Sequence, residues 1–367
     1  MRLLVDCHCF DSEMSQGITS YIKGLYSVLP HIAKDIQFFF VAKDIERIKE
    51  IFGVATNIHY LKLTSNNRIY RLFFEITDII KKNKIDIAHF QYVSPIIKNC
   101  KTIVTLHDVL FLDYPQFFPF SYKFSKSIPF RISAKRADLL CTVSKYSQQR
   151  ISKLYGIDKS EILITPNAVD PEFYKIEDAK PDYFPNKYIL YVSRIEPRKN
   201  HRSIAEAFNE MKLNERGYKL VFIGKETVAT PELHQYVNTI DRNVRDNIIF
   251  IEQCSFNELK LWYKYANLFL YPSLAEGFGI PPIEAGASKT PVICHHDTAM
   301  SDFTFFGHNL IDMNDKSLLK ETINRNLKTQ NNQELDYISN KIKDTYNWVH
   351  IARDFKETLK NKFGYIG

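Results

Sequence analysis

The sequence predicts an α/β protein built from two doubly wound parallel sheets, and three observations carry that expectation. Short runs rich in β-branched and aromatic residues alternate with helical patterns along nearly the whole chain, as βαβ units require. The alternation lapses once, in the polar stretch from Lys175 to Lys187 with its two prolines, and then restarts. At 367 residues the chain is long enough for about two domains, each able to bury its own core without disulfides or metal.

The elements follow in order. In the first half, strands are expected at 3–9, 36–42, 87–90, 102–106 and 139–143, with helices over 18–29, 70–82 and 145–155. This is the first domain, 1–175, followed by a linker at 176–187. The second domain, 188–344, opens with strands at 188–192, 219–223, 248–251, 268–271 and 292–294. Asn200 is placed to cap a helix carrying Ile204, Phe208 and Met211, and Ser255 with Glu258 reads as a capping box. There is no internal repeat. Doubly wound sheets receive ligands beyond the carboxyl ends of their strands, so the expected site is a cleft that the two domains face.

Composition narrows the class. With 49 Lys+Arg against 42 Asp+Glu, a net charge of +7 and 45% hydrophobic residues, the chain is globular, and its modest, dispersed positive charge indicates no nucleic-acid partner. No apolar run reaches even ten residues, against the roughly 18 to 20 that span a bilayer, and the opening run is too short for a signal peptide. A cytoplasmic protein is expected. The six cysteines, at 7, 9, 100, 141, 254 and 294, form no C-x-x-C pair and read as reduced thiols, with Cys7-His8-Cys9 as buried strand residues.

One segment departs from the average. Between Asp113 and Asp138 there is no acidic residue, while Lys123, Lys126, Arg131, Lys135 and Arg136 interleave with aromatic side chains. That mixture suits an anionic membrane surface, where cations meet headgroups and rings sit at the polar boundary. It equally suits a half-buried helix with snorkelling lysines, and both readings stay open.

Four segments can carry chemistry. In Tyr271–Ala287 a strand runs into a glycine-rich loop and then, at Pro281-Pro282, into a helix start. Gly277 and Gly279 allow backbone N–H groups close to a ligand, and the helix end favours a phosphate. Glu284, expected in the first helical turn, suits vicinal ribose hydroxyls, and Glu276 the sugar side; two ordinary first-turn acids are the plainer alternative. In Tyr191–His201 a second strand-loop-helix offers Arg194, Arg198 and Lys199 where a diphosphate could sit, with Arg194 as a bidentate fork and Lys199 as a point charge. A solvated basic loop is the alternative there. His107, at the end of strand 102–106, can orient a proton or bond a sugar hydroxyl, though a lone histidine is more often structural. Gly17, between the first strand and the first helix, could admit a phosphate or merely turn the chain.

Taken together, Gly17-Ile-Thr-Ser-Tyr21, Leu106-His107-Asp108, Cys141-Thr-Val-Ser144, Thr165-Pro-Asn167, Ser193-Arg194 through Asn200 and Glu276-Gly-Phe-Gly-Ile-Pro-Pro-Ile-Glu284 resemble the retaining GT-B glycosyltransferases of family 4, the bacterial mannosyltransferase-like group 1 enzymes. The resemblance covers nearly the whole chain, and the last two segments are its most specific parts, the spacing of Glu276 and Glu284 matching the family's E-x7-E motif.

The resemblance implies a GT-B fold and a hexosyltransferase using a nucleotide sugar. It implies Arg194 and Lys199 on the donor diphosphate, Glu284 on the ribose, Glu276 near the transferred sugar, His107 at the reaction centre and Gly17 near the phosphates. Gly277 belongs to the same loop, and Phe278, Gly279 and Ile280 are expected to give backbone contacts. The closing helix, 345–367, is expected to pack back on the first domain. The leaving charge would be stabilised by Arg194, Lys199 and the helix before Glu284, so no metal is expected; a D-x-D pair in a plausible metal-binding context is also lacking.

By the same resemblance the donor is first expected to be GDP-mannose. The acceptor is expected to be a lipid-linked saccharide in bacterial O-antigen or capsule assembly, on the inner face of the cytoplasmic membrane, with Lys123, Lys126 and Arg131 as the membrane or acceptor contact. Two other readings are a non-catalytic scaffold of the same fold and a transferase acting on a soluble acceptor. After Cys294 the family's usual Ser-x-x-Pro-Glu is replaced by His295–Asp302, whose double histidine reads as a polar loop rather than a metal site.

Overall fold

The computed structural model describes residues 1–11, 16–329 and 331–364. The chain divides into two compact units, Met1–Ala168 together with the chain from Tyr346 on, and Val169–Thr345.

The first unit is built on a seven-stranded sheet of β1 (Arg2–Asp6), β2 (Gln37–Ala42), β3 (Ile58–Lys62), β4 (Ile87–Gln91), β5 (Lys101–Thr105), β6 (Leu139–Thr142) and β7 (Ile162–Ile164). Its spatial order is β3-β2-β1-β4-β5-β6-β7, with every pair parallel. Strands covered on both faces need apolar residues at successive positions, and β2 (Gln-Phe-Phe-Phe-Val-Ala) is buried after its first residue. Leu4, Phe39, Phe90 and Ile76 pack on one side, and Val104, Leu140, Phe130 and Ile151 form a second cluster.

The second unit repeats the plan with β8 (Lys187–Val192), β9 (Tyr218–Ile223), β10 (Ile248–Ile251), β11 (Leu268–Tyr271), β12 (Val292–His295) and β13 (Leu310–Ile311), all parallel, in the order β10-β9-β8-β11-β12-β13. In each sheet the winding reverses beside the first strand, between β1 and β4 and between β8 and β11. Doubly wound sheets receive ligands at these switch points, beyond the carboxyl ends of the strands.

Three expectations are corrected. The stretch 176–187 is not a free linker: the chain passes between the units at Ala168–Val169, and 176–187 belongs to the second unit and packs on it. There Phe184 stacks on Trp262 at 3.7 Å, and the carbonyls of Ile176 and Asp178 accept from Lys264 and Tyr265. The first strand stops at Asp6, and His8–Asp11 forms a 3-10 turn that still buries Cys9. Asn200 does not cap its helix through its side chain; it takes the left-handed conformation (φ 53°, ψ 39°) that closes the turn Pro197–Lys199 before the helix His201–Glu210. Ser255 and Glu258 do form a capping box at the helix Phe256–Tyr265.

The last helix, Trp348–Phe363, lies in the first unit against the helix Gln16–Ile32. Gly24 makes this possible, since a Cβ there would collide with the Trp348 ring. Lys356 ties the far end by donating to the Ile32 carbonyl at 2.8 Å.

Candidate active site

The second unit gathers its charged residues at the switch point. β8 delivers the loop carrying Arg194, Glu196, Arg198 and Lys199, and β11 delivers the loop to Glu276 and the helix Ile280–Ala287. Two bonds stitch these loops across the gap: Leu274 N–H donates to the Arg198 carbonyl at 2.9 Å, and the Arg198 guanidinium donates to the Ala275 carbonyl at 2.7 Å. Gly224, at the end of β9, lets the Ser193–Arg194 backbone lie against it; its φ is +144°, and a Cβ there would collide with the Ser193 oxygen.

Glu276 is buried and saturated with donors. Its Oε1 accepts from the Lys199 ammonium, from Tyr271 at 2.8 Å and from Ser273 at 2.6 Å, and its Oε2 accepts from Arg198 at 3.3 Å. Burial would raise this carboxyl, but the charges of Lys199 and then Arg198 outweigh it and hold its pKa at about 2. Lys199 is equally buried; desolvation and the neighbouring Arg198 lower its ammonium to about 8 against the pull of Glu276. Arg198 is further paired with Glu196 at 2.6 Å, whereas Arg194 is about one-third exposed and only 3.8 Å from Glu196.

Gly279, with φ +101°, stands at the N-cap of the helix Ile280–Ala287, whose first turn holds Pro281 and Pro282. Phe278 is buried and turns its ring against Phe303, with ring centroids 5.8 Å apart. Gly277 is buried in the same loop. Glu284 lies beyond the first turn of this helix, not within it as expected. Its Oε2 accepts from the Tyr263 hydroxyl at 2.9 Å, yet burial, aided by nearby Asp170, raises its pKa to about 7.

In the first unit, His107 follows β5 and is buried. Its Nε2 meets Gln91 Oε1 at 2.8 Å, the Gln91 amide nitrogen reaches His89 Nε2 at 3.3 Å, and His89 Nδ1 meets the Tyr26 hydroxyl at 2.6 Å. Tyr21 packs edge-on against the His107 ring at 5.2 Å and shares a hydrogen bond with Thr165 at 2.8 Å. Burial drives the His107 pKa down to about 3, so at neutral pH this imidazole is a neutral hydrogen-bonding group rather than a charged acid. Gly17 is the second residue of the helix Gln16–Ile32, with open space where a Cβ would stand.

Of the basic trio, Lys123 and Lys126 are half-buried and Arg131 is exposed on the helix Phe120–Arg136. Burial, and then the charge of Arg68, lowers the Lys126 ammonium. Among the described residues one group could hold a metal ion: ligand atoms of His295, His296 and Asp312 lie within 4.8 Å of one another. His295 Nδ1 already accepts the Met313 N–H at 3.1 Å, which leaves only its Nε2 for an ion.

Sequence reasoning missed Gln91, Glu196 and Tyr263, and gave Arg198 no role beyond its charge. Gln91 left a faint signal, a polar residue at the end of an apolar strand, and the parallel register sets it beside Thr105, two residues before His107. Tyr263 comes from another helix, 21 residues before its partner Glu284, and nothing local marked it.

With the geometry described, comparisons with known proteins identify the family. The profile described as Glycosyltransferase Family 4 matches residues 35–173, and that described as Glycosyl transferases group 1 matches 175–344. The O-antigen chain mannosyltransferase RfbU of Salmonella typhimurium is 32% identical over 226 residues, 61% of this chain and 60% of that one. The O-antigen chain mannosyltransferase B of Escherichia coli is 26% identical over 244 residues, 64% of this chain and 63% of that one. The matched region thus spans about three-fifths of the length of these relatives.

Among solved structures, a glycosyltransferase from Rickettsia africae ESF-5 superposes with a TM-score of 0.74 at 19% identity, covering 100% of this chain and 99% of that one. Anabaena Alr3699/HepE, in complex with UDP and glucose, superposes with a TM-score of 0.72 at 15% identity, covering 98% and 100%. With two matched profiles that together run from residue 35 to 344, and two Rossmann-like parallel-sheet domains, the chain belongs to the group 1, family 4 glycosyltransferases of GT-B fold.

Proposed function

We propose that the protein is a metal-independent, retaining hexosyltransferase of bacterial surface-polysaccharide synthesis. It takes a sugar, mannose first, from a nucleotide donor, GDP-mannose first, and passes it to a lipid-linked saccharide at the inner face of the cytoplasmic membrane. The observation that carries this reading is the set of Arg194, Arg198, Lys199, Glu276 and Glu284 at the switch point of the second sheet. The O-antigen mannosyltransferases among the relatives support the sugar and the pathway.

In this reading the ribose hydroxyls donate to the Glu284 carboxylate. Arg194, Lys199 and the N-terminus of the helix Ile280–Ala287 hold the diphosphate and stabilise its charge as the glycosidic bond breaks. The acceptor hydroxyl attacks the anomeric carbon from the face that the diphosphate leaves, and its proton passes to a diphosphate oxygen. Glu276 orients Lys199 and Arg198 instead of attacking: a carboxylate with four donors and a pKa of about 2 is a poor nucleophile. His107, neutral, contributes a hydrogen bond near the transferred sugar.

The test is thermal stabilisation by GDP-mannose, UDP-glucose, UDP-galactose, UDP-N-acetylglucosamine and dTDP-rhamnose. One donor should stabilise the fold, by about 2.7 kcal/mol at a hundredfold excess over Kd. That shift should vanish in Glu284→Ala and Lys199→Ala. No shift with any donor would overturn the reading.

A further inference from the structure

The helix Phe120–Arg136 faces two ways. Inward, Phe130 stacks on Tyr92 at 4.7 Å, and Tyr92 in turn lies 5.4 Å from the His107 ring, so the helix backs the reaction histidine. Outward, where a surface helix should be polar, it shows Phe120, Phe124, Ile128 and Ile132. Their spacing of four residues sets them in one stripe, about 18 Å long. They are exposed by 81, 72, 61 and 39%.

The apolar surface continues onto neighbouring segments. Ile69 and Phe74 are exposed beside Arg68, whose charge acts on Lys126, and Ile96 and Ile97 are exposed where Arg136 donates to the Ile96 carbonyl at 3.0 Å. Ten of the eighteen large hydrophobic side chains exposed among the described residues fall in these three segments. Scattered exposure is ordinary, but concentration of this kind marks a contact surface.

Charge selects the occupant. The helix carries five cations and no acid, and the acids at its two ends are already committed, Asp113 to Arg150 and Asp138 to Lys98 at 2.6 Å and Lys101 at 3.5 Å. A symmetric dimer through this face would set the same five cations of each copy against one another. An anionic lipid surface accepts both features, the cations at its headgroups and the stripe at the boundary with the acyl chains.

We infer that the face formed by 120–136, with 68–74 and 96–97, docks on an anionic bilayer by inserting the stripe Phe120, Phe124, Ile128 and Ile132 below the headgroups. This contact takes its purpose from the lipid-linked acceptor proposed above. It also extends the expected trio of Lys123, Lys126 and Arg131, because the apolar stripe and the segments 68–74 and 96–97 carry as much of it as the charges do.

The experiment is co-sedimentation of the whole protein with phosphatidylcholine vesicles, with and without phosphatidylglycerol, at low and high salt. Binding is expected to need phosphatidylglycerol and to weaken with salt. It should fall about tenfold or more in Phe124→Ser/Ile128→Ser and in Arg131→Gln/Lys135→Gln, and stay unchanged in the control Val228→Ser/Phe250→Ser, whose exposed side chains lie in the second unit. No binding to phosphatidylglycerol vesicles at low salt would overturn the inference, as would equal loss in the control. A dimer in solution that Phe124→Ser/Ile128→Ser dissociates would overturn it too, by making the face a contact between copies. Thermal stabilisation by nucleotide sugars is read separately: vesicle binding without any donor effect would keep this inference and remove the transferase reading.

Discussion

Donor affinity should follow a bell-shaped curve in pH, because two groups of the proposed donor site, the half-buried Glu284 and the buried Lys199, titrate close to neutrality in opposite senses. Glu284, raised to about 7 and proposed to hold the ribose, accepts its hydroxyls most strongly when ionised, so binding weakens as pH falls through that value. Lys199, lowered to about 8, attracts the diphosphate only when protonated, so binding weakens as pH rises through that value. With only the doubly charged form competent, that fraction is about 58% at pH 7.5 and about 9% at both pH 6 and pH 9, which makes the apparent Kd about sixfold weaker at either end. His107 and His201, both near 3, stay neutral across this range.

Calorimetric titration with an intact nucleotide sugar reads the curve cleanly, since its diphosphate is a diester with no proton to lose in this range. Glu284→Gln should flatten the acid limb alone, and Lys199→Arg, which keeps the charge and removes the titration, the alkaline limb alone. A flat wild-type profile would refute the reasoning. So would a Glu284→Gln profile that keeps its acid limb.

The buried pair also sets acid stability. Glu276, at about 2 in the fold against its ordinary 4.5, contributes about 3 kcal/mol that is fully present above pH 4.5 and lost as pH falls towards 2; urea unfolding of Glu276→Gln should show that slope removed. At neutral pH either Glu276→Gln or Lys199→Met should cost about 3–5 kcal/mol, with the double variant less than additive, because each single change leaves a buried charge unpaired. Gln91→Leu should lower kcat about tenfold or more with little change in donor KM, since it frees the His107 ring without touching the donor loops; equal loss in both constants would refute a positioning role. Gly224→Ala should lower the thermal midpoint and weaken donor binding together, by driving a Cβ into the Ser193 oxygen beside Arg194.

What the sequence revealed and what it hid divide along physical lines. Central strands such as β8 and β11 are buried on both faces and announce themselves as continuous apolar runs. The strands that escaped notice are β3, β7 and β13, all at sheet edges; β3 is half-exposed along most of its length, and β7 and β13 have three and two residues. In the site, the glycine loops and the charges near them were legible because they are local in sequence. Their partners were not: Arg198 reaches Ala275 across 77 residues and Tyr263 reaches Glu284 from another helix, contacts that only the order of β8 beside β11 and the packing of the helices create. The supposed linker failed for a related reason. Its two prolines and charges look unstructured in isolation, yet Phe184 in their midst finds Trp262.

Glu276 and Glu284 show how one short segment produces two different acids. They stand eight positions apart, Glu276 buried and Glu284 half-buried, with pKa values driven in opposite directions, to about 2 and about 7. Burial pushes both upward, so the difference lies entirely in the partners. Glu276 meets two cations and two hydroxyls, and is a permanent anion that fixes Lys199 and Arg198 in place. Glu284 meets one tyrosine hydroxyl and the repulsion of Asp170, and stays a conditional anion with room for further donors. The proposed binding of a diphosphate and a diol side by side would need that division, since a carboxylate left unneutralised beside the phosphates would repel them. Arg194, Arg198 and Lys199 against Glu196 and Glu276 leave one net positive charge at the loops before any ligand arrives, and the helix N-terminus adds to it. Below neutral pH, the acid proposed to face the ribose can therefore be protonated while Glu276, at about 2, stays ionised and Lys199, at about 8, stays charged.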